Sequence, residues 1–196
     1  MERTKVNWKD KFIGLGYSDK QVSELLKYPL YVLQGVHERG YINPGMNCGQ
    51  IKQVMLGLNK DRLSVFVKGY AKNEYSTAHM RVIRLLLNIG LEASYIDKYM
   101  DPEEFNHKQC FVLGMVLINS KEVNIDVYLE FIKNADRQVD ALYRLFIYRV
   151  SRFQYDRLQA ESMRTDIMKC FDIDFYSAQI DYQMDMVPVN RDGDNV

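Results

Sequence analysis

The chain has 196 residues, 47% of them apolar, and carries 26 acidic and 26 basic side chains. That length suits one ordinary domain or a short array of stacked units with a real core, while charge balance removes any whole-molecule field favouring nucleic acid or anionic lipid. Cys48, Cys110 and Cys170 are too far apart for a disulfide framework or a zinc knuckle, and no apolar run approaches the length of a membrane span, so a cytoplasmic location without a membrane partner is expected.

In residues 1–17, Trp8, Phe12, Ile13 and Leu15 are placed to cap the N-terminal end, with Gly14 and Gly16 marking its close. "FIGLGYS" lacks the third glycine and the preceding strand of a dinucleotide-binding loop and reads as a turn. From residue 18 a period takes over. Gln21, Gln50, His79, Gln109 and Gln138 recur at intervals of 29, 29, 30 and 29. One residue after each anchor stand Val22, Ile51, Met80, Cys110 and Val139, and four after come Leu25, Val54, Ile83, Leu113 and Leu142. Eight after come Pro29, Leu58, Leu87, Leu117 and Phe146. Offsets of one, four and eight share a helix face, so each anchor opens a helix with one apolar stripe, broken only at Pro29. Three residues before the anchors stand Ser18, Asn47, Ser76, Asn106 and Ala135. Ser or Asn three ahead of Gln is a capping box, in which the cap side chain accepts from the N3 amide and the N3 side chain reaches back. Ala135 is a weak cap, with Asp136 as a substitute one residue on.

A second element follows in each unit. In unit one, Pro29 ends the first helix and opens another over residues 30–38, with Gly40 as the stop. "YINPGMN" makes the turn into unit two, where Leu63, Phe66, Val67 and Tyr70 follow helical spacing. Unit three offers Tyr95, Ile96 and Tyr99, then the turn "MDPEEFN", and unit four has Ile125, Tyr128, Leu129 and Ile132. From residue 136 to about 163 neither Gly nor Pro intervenes, which predicts one long helix closing the array. Short helices cannot bury their faces alone. The expected fold is therefore all-α, about five helical hairpins of 29–30 residues in an α-solenoid-like stack: cap 1–17, repeats 18–164, acidic segment 165–196. That segment holds seven Asp against Lys169 and Arg191, and past Pro188 it is expected to be disordered.

"QIKQVMLGLNKDRLSVFVKGYA" (50–71) and "HMRVIRLLLNIGLEASYIDKYMDPEEFNHKQC" (79–110) resemble a short helical repeat found in many copies in proteins of Firmicutes phages, plasmids and conjugative elements. That unit runs Gln-Met, Ile-Arg, Gly-Leu twice, a Val-Ser segment, Tyr-Ala and Asp-Pro-Glu-Phe. Gln50, Gly57, Leu58, Ser64, Val65, Tyr70 and Ala71 match in unit two; Met80, Ile83, Arg84, Gly90, Leu91, Asp101, Pro102, Glu103 and Phe105 match in unit three. The resemblance covers about a third of the chain, fades in units four and five, and carries no catalytic residue. It implies a bacterial protein of mobile-element origin.

Candidate chemistry is sparse. His107 and Cys110 in "NHKQC" share a helical face but have no further ligand nearby; Cys110 fills the apolar offset and His107 falls in an exposed first turn. Glu103 and Glu104 beside Pro102 read as the acidic first turn of a helix. No nucleophile elbow or catalytic dyad is visible, so no enzymatic activity, cofactor or metal is expected. In "YRLFIYRVSRFQYDRLQAESMR" (143–164), five arginines alternate with aromatic side chains. That mixture suits a protein interface, or phosphate contact with base stacking, or an Arg face docked on the acidic tail. The leading expectation is a non-enzymatic repeat protein binding another macromolecule, most often a protein, through Arg144, Tyr148, Arg149, Arg152 and Tyr155. The alternatives are nucleic-acid binding by the same helix and, from the resemblance alone, occlusive inhibition of a host defence nuclease in the manner of an anti-CRISPR protein.

Overall fold

The computed structural model describes residues 7–59, 66–119 and 125–152, which are all-α, with ten helices and no strand. Helix α1 (Trp8–Gly14) precedes α2 (Asp19–Leu25) and α3 (Leu30–Arg39). They are followed by α4 (Cys48–Leu58), α5 (Val67–Tyr70), α6 (Thr77–Ile89) and α7 (Ser94–Tyr99). Helices α8 (His107–Asn119), α9 (Ile125–Asn134) and α10 (Asp136–Arg152) complete the described chain. The first helices of successive units touch in series, α2 on α4, α4 on α6, α6 on α8 and α8 on α10. The second helices fill in beside them: α5 contacts α4 and α6, α7 contacts α8, and α9 contacts both α8 and α10.

The helix starts are set by the predicted caps. Ser18 with Gln21, and Asn47 with Gln50, form complete capping boxes. In unit four the Asn106 and Gln109 pair makes the same reciprocal bonds, at 2.9 and 3.1 Å. Ahead of each of these caps, and of the Ser76 cap of α6, an apolar residue is buried: Tyr17, Met46, Tyr75 and Phe105. The residue one past each anchor is buried too: Val22, Ile51, Met80 and Cys110. These are the N′ and N4 positions of a hydrophobic staple. Stops are equally local. Gly40 and Gly90 close α3 and α6 in the left-handed region, at φ 66° and 114°, where a Cβ would be strained.

The anchors do more than cap. While its Oε1 accepts the Asn47 amide (2.7 Å), Gln50 donates through Nε2 to the carbonyls of Asn73 (3.2 Å) and Tyr75 (2.7 Å). Gln21 does the same to Pro44 (2.9 Å) and Met46 (2.6 Å), and Gln109 donates to Ile132 (3.0 Å). Each amide thus fixes the start of its own helix; Gln21 and Gln50 also grip the turn entering the next unit, and Gln109 the last turn of α9. In unit three His79 substitutes: Nε2 meets the Phe105 carbonyl at 2.9 Å, and Nδ1 lies 2.8 Å from the Ser76 hydroxyl. This geometry requires Nε2–H to donate and Nδ1 to accept.

Several expectations change. Ile13 and Leu15, assigned to the N-terminal cap, are 44% and 45% exposed, and of the four only Phe12 is fully buried. Glu103 and Glu104 lie in a turn, because α8 starts only at His107 behind the Asn106 cap. His107 is half-buried, packed edge-on between the rings of His79 and Tyr143. Leu63, the end of the long helix beyond Arg152, and the acidic segment lie outside the described residues.

Candidate interaction face on the last helix

Two contacts define which side of each first helix looks forward along the chain. A Cβ at Gly114, five past its anchor, would lie 2.3 Å from the Leu86 side chain, seven past the preceding anchor. Arg84, also five past its anchor, donates through Nε to Oε1 of Gln53 (3.1 Å), three past the preceding anchor. Offset five therefore looks back, and offsets three and seven look forward. With offsets six and ten they form one helical stripe.

In unit three the forward stripe is Val82, Leu85, Leu86 and Ile89, all buried; in unit four it begins Val112, Met115 and Val116, again all buried. In unit five it is Ala141, Arg144, Leu145 and Tyr148, all exposed. Leu145 is 42% and Tyr148 64% exposed, among the few large apolar side chains left open. An exposed stripe with Arg and Tyr among its members has the composition of an interface centre.

The charges around it are partly spoken for. Asp140, one turn before Arg144, receives its Nε (2.7 Å) and also the Lys108 ammonium from α8. The Lys108 hydrogen bond, helped by Arg144, holds the Asp140 carboxyl below its ordinary range. Arg144 thus has an intrahelical partner at the i,i+4 spacing, while its side chain stays 76% exposed and can turn to another acceptor. Among the residues predicted for the site, Arg144 and Tyr148 share the open face. Arg149 and Arg152 fall on the last turns of α10, and Tyr155 lies outside the described residues. Sequence reasoning missed Leu145 and Ala141, which the repeat offsets identify once the forward direction is known.

Elsewhere the described residues offer little for catalysis. No group of three His, Cys, Asp or Glu side chains among them could hold a metal ion. Burial pushes the Cys110 thiol up to about 12, so it is no thiolate at neutral pH. The His79–His107 ring pair is 6.0 Å between centroids, and the hydroxyl beside it, that of Ser76, accepts from the His79 amide as the N-cap of α6. No helix of the described residues is long and apolar enough to cross a membrane. Comparison with known protein families, curated proteins and solved structures finds no match to this chain.

Proposed function

We propose that the chain is a non-enzymatic helical-repeat protein whose units stack as an α-solenoid and whose α10 face binds another protein. One observation carries the reading: the stripe that neighbouring units bury at Val82–Leu85–Leu86 and Val112–Met115–Val116 is open at Ala141–Arg144–Leu145–Tyr148. A surface of inter-unit geometry favours a helix laid along it, with Leu145 and Tyr148 as apolar anchors and Arg144 as the polar one. A protein partner is favoured over nucleic acid because Asp140 already neutralises part of the local positive charge. The resemblance to mobile-element repeats makes a host protein, a defence nuclease among them, the first partner to try.

The test is capture of a partner from host lysate by wild type and by two double variants. Leu145→Glu with Tyr148→Glu removes the anchors; Leu30→Glu with Tyr31→Glu alters more exposed apolar residues in unit one, 63% and 70% open. A partner retained by the second variant and lost by the first supports the reading. Equal recovery by both overturns it, and salt-sensitive binding of random DNA in place of a protein transfers the face to nucleic acid.

A further inference from the structure

The stripe of α10 that corresponds to the buried inter-unit surface is exposed, and the sequence continues beyond it. The last described residue, Arg152, lies one helical turn beyond Tyr148, and residues 153–196 follow in the sequence, more than one repeat of 29–30 residues. The C-terminal half of α10 carries Arg144, Arg149 and Arg152 and no acidic residue after Asp140. Residues 165–196 are opposite in sign, with seven Asp against Lys169 and Arg191, and in "FDIDFYSAQIDYQMDM" four of those Asp are interspersed with aromatic and aliphatic side chains. Length and charge point the same way.

We propose that the open face of α10 is a docking site for this chain's own acidic segment, residues 165–196, and that a protein partner gains Arg144, Leu145 and Tyr148 by displacing it. This deepens the reading above and rests on it for the identity of the competitor. The docking itself needs no partner. Tethering gives the segment an effective concentration in the millimolar range, which a free competitor must overcome. A second copy's α10 is a poorer occupant, because it sets arginine against arginine.

Thiol labelling of the full chain tests the idea. Cysteine is introduced by Tyr148→Cys or Ala141→Cys on the face, and by Tyr31→Cys as a control at the far end. Peptide mapping separates these sites from the native cysteines. In dilute protein at low salt, the thiols at positions 148 and 141 are expected to react at least about tenfold more slowly than the one at position 31. The gap closes in about 1 M salt, where screening falls to roughly 3 Å, and likewise when Asp172, Asp174, Asp181 and Asp185 are changed to Asn. Equal rates at low salt overturn the proposal. Protection that appears only as protein concentration rises also overturns it, assigning the face to a second copy. Slow labelling without any captured partner sinks the partner reading alone, and fast labelling with a captured partner sinks the docking alone.

Discussion

Leu86 and Leu145 occupy the same offset, seven residues past their anchors, on helices of the same kind. Leu86 is wholly buried where α6 meets α8, against the bare backbone at Gly114; Leu145 on α10 is 42% exposed. The stripe is read identically in both units, so its chemistry does not decide burial. What differs is the neighbour: α8 packs on the stripe of α6, and among the described residues no helix follows α10. Even the residue types register this: leucine stands six past the anchor in unit three, methionine in unit four, and arginine at the open end.

The largest effect expected from breaking that equivalence is on stability. Leu86→Ala leaves a cavity between α6 and α8 and is expected to cost about 2–5 kcal/mol, whereas Leu145→Ala is expected to cost less than about 1 kcal/mol. Urea unfolding of the two variants measures the difference. Similar losses would mean that the face of α10 is covered as thoroughly as that of α6.

A second contrast lies along the row of anchors. Gln50 satisfies one amide and two carbonyls with a single side chain. Gln50→Ala strands the buried Tyr75 carbonyl and the Asn47 amide, for an expected loss of roughly 2–3 kcal/mol. His79 holds one carbonyl, that of Phe105, and the Ser76 hydroxyl with one ring nitrogen each, so His79→Gln, which supplies the amide of the other units, is expected to stay within about 1 kcal/mol of wild type. A loss at His79→Gln as large as that at Gln50→Ala, read from the same unfolding curves, would show that the imidazole does something an amide cannot.

These contrasts separate what the sequence disclosed from what it hid. The caps were legible because a capping box is local, closing within three residues, and the buried offsets one and four followed from helical period alone, while at offset eight Leu87 and Phe146 are buried, Leu58 and Leu117 partly so and Pro29 exposed. The grip of Gln21 and Gln50 on the next turn was not legible, since it runs to carbonyls 23 and 25 residues away, and a Gln in a capping box already has a sufficient local explanation. Arg84 shows the same limit. A charged residue beside an apolar stripe reads as solvated, yet it is 4% exposed and reaches Gln53 of the preceding unit. At the candidate face, Arg144 and Tyr148 stood out by residue type. Leu145 did not, because a leucine in an apolar helix is assigned to the core until the direction of stacking is known.

The smallest expected effect concerns the His107 ring, where α6, α8 and α10 converge. Its imidazole is half-buried between His79 and Tyr143, with Lys108 the next residue along α8 and Asp140 across from that lysine. Burial, then the neighbouring His79 and Lys108, lower its pKa below the ordinary histidine value of 6.5. The folded protein therefore resists a proton that the unfolded chain accepts. Above the unfolded value both states are neutral and the stability is complete. As pH falls through that value, the unfolded state binds more protons and stability declines, until the lowered folded pKa is passed and the loss levels off. The Tm is accordingly expected to fall between pH 7.5 and 5.5, a window above the range where carboxylates titrate. His107→Gln, which cannot be charged, should flatten that slope while leaving the Tm at pH 7.5 less affected than Leu86→Ala does. An unchanged slope would mean that the ring is hydrated in solution as it would be in the unfolded chain, and that the junction of α6, α8 and α10 is looser than its ring contacts imply.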